Sequence, residues 1–176
     1  MKNCYYIVLS IMLLSCLKHG KSNSLPTDQE INNTIKEIYE LKLDSETDSE
    51  WRQFIQSNPI TIRPNINLPE LTLNNESEKY FSKKDLKYMI RQRQMIKNCH
   101  LDSTILNDYK IITSEGDDYK GLINEFTIPL YSLDRKTIIL TEGYNRGVLS
   151  GYSYTSIYKK NNHNWELVYR SDKIRY

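Results

Sequence analysis

The spacing of the apolar residues changes near residue 100, and this change limits the folds that the chain can adopt. Before it, Ile31, Ile35 and Ile38 recur at the period of an amphipathic helix. After it, short stretches rich in Ile, Tyr, Thr and Val lie between Gly, Asn and Asp turns, which predicts strands joined by hairpins. The sequence therefore predicts an α+β fold, in which one or two N-terminal helices pack on an antiparallel sheet of about four to six strands.

Two segments carry the signals of a helix start. Thr27 is followed by Glu30, and Ser82 by Asp85, so each pair can form a reciprocal capping box. We expect the first helix to bury its apolar stripe, which is Ile31, Ile35, Ile38 and Leu41, and to expose Asn32, Asn33, Lys36 and Glu37. We expect the second helix to present one apolar face, which is marked by Leu86, Met89, Ile90 and Arg93.

Six segments have the composition of strands. The first, residues 60–68, is interrupted by proline and suits an edge strand. The other five are residues 104–113, 121–131, 136–144, 151–160 and 164–170. Asn161 and Asn162 separate the last two, and they are the strongest hairpin signal because Asn tolerates the left-handed conformation that tight turns require.

The first residues have the pattern of a secretory signal. Lys2 supplies a positive charge, residues 5–14 are mostly apolar, and the chain becomes polar directly after Cys16. A spanning helix needs roughly 20 apolar residues, about twice the length of this run. The pattern predicts a signal peptide over residues 1–15, a flexible tether over residues 16–27 and a single α+β domain over residues 28–176.

The tetrapeptide Leu13-Leu14-Ser15-Cys16 resembles the bacterial lipobox. In that motif a leucine three residues before a cysteine, with a small residue directly before it, presents the cysteine for diacylation and cleavage. The resemblance implies that Cys16 carries lipid and anchors the domain in the bacterial cell envelope, on the periplasmic or outer-membrane face. Two or three acyl chains give lasting attachment, since each buried methylene contributes about 0.8 kcal/mol. The alternative is an ordinary cleavable signal with a chance cysteine.

Composition narrows the classes of partner. The chain has 24 basic and 22 acidic residues and a net charge of +2, so its overall charge does not suggest a nucleic-acid partner. Cys4 would leave with the signal and Cys16 would carry lipid, which leaves Cys99 as the free thiol of the mature chain and no disulfide framework. The three histidines are too scattered for metal ligands, so we expect no metal site and no cofactor.

The stretch from Phe126 to Arg170 is similar to small uncharacterised lipoproteins common in Bacteroidetes. In them an aromatic-x-x-Pro segment leads to a hydrophobic strand, a Gly-rich loop, a lysine-rich turn and a Trp-x-Val ending. The matching residues are Phe126, Pro129, Leu130, Gly147, Leu149, Gly151, Lys159, Lys160 and Trp165. Arg146 and Ser150 stand where the family loop commonly has two cysteines. The resemblance implies the fold and the envelope location, and it implies no activity.

Candidate binding residues lie in the segment from Glu142 to Gly151 and in the strand that follows it. The glycines of this segment flank an arginine and an acid, although an ordinary hairpin loop would look the same. The next strand places several tyrosines on one face, where they can supply rigid contact area or pack between strands. The candidates are Glu142, Tyr144, Arg146, Tyr152 and Tyr154.

No set of nucleophile, base and orienting group can be named, so no catalytic residue is predicted and the chain is expected not to be an enzyme. The leading hypothesis is a lipid-anchored envelope domain that binds a protein or a glycan, for example as an inhibitor or an immunity protein. The alternative is an envelope hydrolase with an unrecognised active site.

The lipobox resemblance makes a direct prediction about membrane attachment. We expect the wild-type protein to enter the detergent phase on phase partition and Cys16→Ala to stay in the aqueous phase, because the variant has no acyl chains. Immunoblotting of both phases measures the distribution. Cys16→Ala protein that still enters the detergent phase would contradict lipid attachment at this cysteine.

Overall fold

The structure of the chain, a computed structural model, describes residues 24–45, 53, 60–63, 77–96, 99–102, 123–145, 151–171 and 174–175. These ranges contain two α-helices, α1 (Asp28–Ser45) and α2 (Lys83–Met95), and a short 3₁₀-helix (Ser77–Lys79). They also contain the seven strands of one sheet: β1 (Ile60–Arg63), β2 (Ile123–Thr127), β3 (Leu130–Tyr131), β4 (Thr137–Asn145), β5 (Gly151–Asn161), β6 (Asn164–Arg170) and β7 (Ile174–Arg175). The predicted α+β fold is confirmed.

Five strands cross the sheet in the order β1, β2, β4, β5, β6, while β3 pairs with β4 and β7 pairs with β5. The described pairs are antiparallel except for β1 and β2, which run parallel. A parallel pair needs a long connection, and the chain between these two strands includes α2. Among the described strands β1 lies at the edge of the sheet, as the prolines near it in the sequence predict. The predicted strand at residues 104–113 lies outside the described residues.

The last hairpin is confirmed. Asn161 pairs with Asn164, so two residues form the turn between β5 and β6. Asn162 has a φ of 56° there, the left-handed conformation that asparagine adopts more readily than most residues.

Helix α1 begins with the predicted capping box. The Thr27 amide donates to Glu30 Oε2 at 2.9 Å, and the Glu30 amide donates to Thr27 Oγ1 at 3.2 Å. Its buried face combines the isoleucine stripe with an aromatic residue: Ile31, Ile35, Ile38 and Tyr39. The Tyr39 ring meets Phe126 of β2 edge-on, with 6.0 Å between centroids, so α1 packs on the sheet face that carries Phe126.

The prediction that Asn32 faces solvent is wrong, because this side chain is 1% exposed. Its amide nitrogen donates to the carbonyl oxygens of Asp28 at 2.7 Å and His100 at 3.1 Å. Its amide oxygen accepts from the Asp102 backbone N–H at 3.1 Å. Asn32 therefore ties the segment after α2 to α1, and a buried polar side chain is tolerated because its hydrogen bonds are made.

Helix α2 begins with the second predicted capping box, formed by Ser82 and Asp85. Its buried face is rotated from the predicted one, since the buried residues are Tyr88, Met89 and Gln92. Ile90 was expected on this face and is 53% exposed. The buried face is rotated because it includes Gln92, a polar residue that hydrophobic periodicity would assign to solvent.

The buried side chain of Gln92 forms hydrogen bonds with the backbone of β3, as a neighbouring strand would. Its Oε1 accepts from the Tyr131 N–H at 3.0 Å, and its Nε2 donates to the Tyr131 carbonyl oxygen at 2.7 Å. Farther along, the Leu133 N–H donates to Asp85 Oδ1 at 2.8 Å. Helix α2 therefore satisfies backbone groups of β3 and of the turn that follows it.

Replacing Gln92 tests this arrangement. We expect Gln92→Ala to lower the free energy of unfolding by about 2–4 kcal/mol, because both polar groups of Tyr131 lose their partners in a buried site. Gln94→Ala on the exposed side of the same helix is the matched control and should change it by less than about 0.5 kcal/mol. Urea denaturation followed by circular dichroism measures both, and equal stabilities would contradict the structural role of Gln92.

Candidate functional site

Among the described residues, three charged side chains of helix α1 make polar contacts with the sheet side along its length. Each contact uses a charged residue of α1 and a partner that is distant in sequence. The pairs are Glu30 with Arg135, Glu37 with Lys160 and Trp165, and Lys42 with Glu142. Because Arg135 precedes β4 and Glu142 lies toward its end, α1 runs alongside β4 in the same direction.

Arg135 holds the beginning of α1. It lies in the turn between β3 and β4 with a φ of 58°, a conformation that is uncommon outside glycine. Its guanidinium forms an ion pair with the Glu30 carboxylate and donates to the carbonyl oxygens of Ser24 at 2.6 Å and Leu25 at 3.1 Å. Residues 24 and 25, at the end of the predicted tether, are thus bound to the domain.

At the other end of α1, Glu142 is the charged residue at the centre of the contacts. Its side chain is fully buried, and its Oε1 accepts from Ser156 Oγ, from the Tyr158 hydroxyl at 3.0 Å and from Arg170 at 2.9 Å. The Lys42 ammonium lies 3.3 Å from Oε2. Glu142, which the sequence places both in a predicted strand and in the candidate binding segment, lies within β4 and its side chain is buried. We call these five residues the Glu142 cluster.

The strand register assembles this cluster. Glu142 of β4 lies between Phe126 of β2 and Tyr154 of β5, and in the next row Ser156 lies opposite Arg170 of β6. Residues that pair across strands share a face of the sheet, so these side chains converge on the face that α1 covers. Lys42 completes the set from the last turn of α1.

The neighbouring charges determine the protonation state of Glu142. Burial alone would raise the pKa of Glu142, but the charges of Lys42 and Arg170 and the hydrogen bonds of Ser156 and Tyr158 hold that pKa below its ordinary value. Burial lowers the pKa of Lys42 despite the neighbouring carboxylate. Burial and the Glu142 charge raise the pKa of Tyr158, so its hydroxyl stays protonated and donates. The carboxylate is therefore charged and held by donors on several sides.

Contacts with aromatic rings connect the Glu142 cluster to the surface of the protein. The Lys42 ammonium lies 5.0 Å from the centroid of the Phe126 ring, and the Arg170 guanidinium lies 5.3 Å from that of Tyr154. Tyr154 packs edge-on against Tyr152 at 5.4 Å. The Arg170 side chain is 39% exposed, and both tyrosines are half-buried. Tyr152, Tyr154 and Arg170 together form what we call the Tyr–Arg patch.

The predicted binding residues separate into three groups. Tyr152 and Tyr154 lie side by side in the Tyr–Arg patch, with their neighbour Glu142 buried. Tyr144 pairs with Tyr152 in the sheet, and nothing further is described of its side chain. Arg146 lies outside the described residues. The alternating tyrosines therefore do share a face, which also contains Ser156 and the buried Tyr158.

Sequence patterns missed Lys42 and Arg170, although one signal was present. Lys42 follows Ile38 by four residues and so continues the buried stripe of α1. Glu142 likewise follows Ile138 and Leu140 at alternate positions of β4. A lysine and a glutamate at core positions of two elements indicate a buried ion pair. Arg170 offered no comparable signal, because its strand alternates only weakly.

Within the described ranges, the free thiol is that of Cys99. Burial, followed by the neighbouring Asp28, raises the pKa of Cys99 to about 12, which keeps its sulfur in the weakly nucleophilic thiol form. Within the same ranges, no group of three or more His, Cys, Asp or Glu side chains is placed to hold a metal ion. No helix among these residues has the length and apolar character needed to cross a membrane.

Comparisons with known proteins give no match. No protein-family model matches the chain, and neither the curated proteins nor the solved structures contain a significant match. What the chain does is therefore inferred from its own residues.

The Glu142 cluster predicts a loss of stability in acid. A carboxyl group whose pKa is lowered by folding stabilises the native state above its unfolded pKa, which is ordinarily 4.5, and this stabilisation disappears as the pH falls through the lower native value. The pKa of Glu30 is also lowered, so Glu30 contributes in the same window, and the pKa of Asp85 is lowered from an ordinary value of 3.8, so its contribution disappears at a lower pH. We therefore expect the free energy of unfolding to fall as the pH drops below about 4.5.

Glu142→Gln separates the cluster from the other carboxylates. At neutral pH we expect this variant to lose about 3 kcal/mol, because Lys42 and Arg170 lose their counter-charge, and to depend less on pH than the wild type. Glu40→Gln, which removes an exposed ion pair with Lys36, should keep the wild-type profile. Urea denaturation between about pH 3 and 7 measures the three proteins. Identical profiles for Glu142→Gln and the wild type would contradict the role given to the cluster.

Proposed function

We propose that the protein is a lipid-anchored domain of the bacterial cell envelope that binds a protein or glycan partner through the Tyr–Arg patch. The signal pattern and the lipobox resemblance at Cys16 support the anchor. The observation that carries the binding function is that a buried carboxylate holds an exposed arginine, which lies over the ring of Tyr154, and Tyr154 in turn packs on Tyr152.

The patch is organised before any partner arrives. Arg170 is held by Glu142, by Ser156 Oγ at 3.4 Å and by the face of the Tyr154 ring. Side chains that are already ordered lose less conformational freedom on binding, so more of the contact energy appears as affinity. Tyrosine and arginine are also the residue types enriched among energetically dominant interface residues.

The location of the patch suits a tethered receptor. The tether enters the fold at Ser24, beside the first turn of α1, whereas Lys42 and the Glu142 cluster lie at its last turn. Helix α1 has 18 residues and is therefore about 27 Å long. The patch lies at the far end of this helix from Ser24, where an envelope partner can reach it.

The state of the charged groups supports binding over hydrolysis. The Glu142 carboxylate has a lowered pKa and is occupied by donors, which is unfavourable for a general acid at neutral pH. The Cys99 thiol has a raised pKa, which is unfavourable for a nucleophile. The alternative of an envelope hydrolase therefore gains no support from the described residues.

A purification experiment tests the patch. The lipidated protein is purified from native envelopes with its partners, and these are quantified by mass spectrometry. We expect Tyr152→Ala/Tyr154→Ala to reduce recovery of the partner at least about tenfold, because the contact area of both rings is lost. Tyr169→Ala is the control, since Tyr169 is also half-buried and packs on another tyrosine, Tyr80, at 6.2 Å.

Tyr169 pairs with Ile157 and so lies on the other face of the sheet from Arg170. Its variant should recover the partner as the wild type does, and circular dichroism confirms that the variants are folded. Recovery that is unchanged in the double variant, or reduced equally in the control, would contradict binding through the Tyr–Arg patch. Digestion of the captured material with a protease or a muramidase distinguishes a protein from a glycan partner.

A further inference from the structure

Helix α2 exposes a basic face. Seven exposed residues occupy one arc of about 140° around the helix, at 100° per residue. They are Lys83, Lys84, Lys87, Ile90, Arg91, Gln94 and Met95. Four of them are cations, and Ile90 and Met95 are large apolar side chains that are 53% and 55% exposed. We call these seven residues the basic face of α2.

Acidic residues of the helix do not offset this face. The one acid of α2 is Asp85, which lies on the other side and is occupied by the Ser82 cap and by the Leu133 backbone N–H at 2.8 Å. The chain as a whole has a net charge of only +2, so four cations on one helix face make a local positive field.

The tether enters the fold at this helix. The hydroxyl of Tyr88, in α2, donates to the Ser24 carbonyl oxygen at 2.6 Å, and the Arg91 guanidinium lies 5.8 Å from the centroid of the Tyr88 ring. Arg135 donates to the same Ser24 oxygen. The first described residue of the chain is therefore fixed beside the basic face of α2.

The length of the intervening chain keeps this face near the proposed lipid anchor. Cys16 and Ser24 are eight positions apart, and eight residues span at most about 28 Å when fully extended. A bilayer that holds the acyl chains of Cys16 is thus always within reach of α2. Because the link is short, the effective concentration of membrane surface near α2 is high.

We propose that the basic face of α2 docks on the headgroups of an anionic phospholipid bilayer and orients the anchored domain. This inference depends on the proposed attachment through Cys16. The four cations complement anionic headgroups, and Ile90 and Met95 lie at the two edges of the same arc, where apolar side chains can enter the boundary between headgroups and acyl chains. The Tyr–Arg patch, at the opposite end of α1 from Ser24, then faces away from the bilayer.

Lysine acetylation of the full-length lipidated protein in vesicles tests the docking. One set of vesicles is phosphatidylcholine alone, and the other contains about one-quarter phosphatidylglycerol. We expect Lys84 and Lys87 to react about fivefold more slowly on the anionic vesicles, and this protection to disappear in about 0.5 M NaCl, which screens the headgroup charge. Lys36 of α1, with 47% of its side chain exposed, is the internal reference and should react equally on both.

A charge-reversal variant shows whether the cations cause the protection. Lys84→Glu/Lys87→Glu changes two exposed residues, and we expect the remaining Lys83 to lose its protection on anionic vesicles. Lys36→Glu reverses one charge on α1, half the change of the double variant, and should leave the protection of Lys83 intact. Circular dichroism of both variants verifies that they are folded.

The outcomes distinguish the docking from the anchor. Protein that does not float with either kind of vesicle overturns lipid attachment, and the docking inference with it. Protein that floats, but whose Lys84 and Lys87 react equally on both kinds of vesicle or despite high salt, overturns the docking and leaves the anchor intact. Protection that appears only after an envelope protein fraction is added assigns the basic face to a protein partner and also overturns the inference.

Discussion

The buried carboxylate of Glu142 is the constraint on which the arrangement of the domain depends. Burying a negatively charged group away from water is strongly unfavourable unless opposite charges and hydrogen-bond donors surround it. Here the donors come from β5, β6 and the last turn of α1, so a single side chain determines how three elements meet. The same set of contacts orients the exposed Arg170 and its tyrosine neighbours. The contacts that stabilise the buried carboxylate therefore also order the Tyr–Arg patch at the surface.

Helix α1 gives the domain two ends with different chemistry. At its beginning, Arg135 and Glu30 hold the segment that leads to the proposed lipid anchor, beside the basic face of α2. At its end, Lys42 reaches Glu142 beneath the Tyr–Arg patch. Between them, Glu37 accepts a hydrogen bond from Trp165 at 2.7 Å. The proposed membrane contact and the proposed partner contact are thus held at a constant separation by one helix, which is the property a tethered binding domain needs.

Local signals predicted most of the secondary structure correctly. Both capping boxes, the isoleucine stripe of α1, strands β2, β4, β5 and β6 and the turn at Asn162 involve groups that are close in sequence. Their free energies depend on backbone dihedral angles and on neighbouring side chains, which a short segment already contains. The pair Tyr152 and Tyr154 could also be identified, because alternate residues of a strand share a face.

Residues whose partners are remote could not be assigned in the same way. Asn32 and Gln92 look like solvent-facing residues of their helices, and Glu142 looks like a candidate for a binding surface, yet all three are buried. Each is stabilised by groups far along the chain, such as His100 for Asn32, Tyr131 for Gln92 and Arg170 for Glu142. The sequence by itself determined where helices α1 and α2 and strands β1, β4, β5 and β6 begin, because those choices are local. Only the tertiary structure decided which polar groups lie inside, because burial of a polar group depends on partners that the fold brings together.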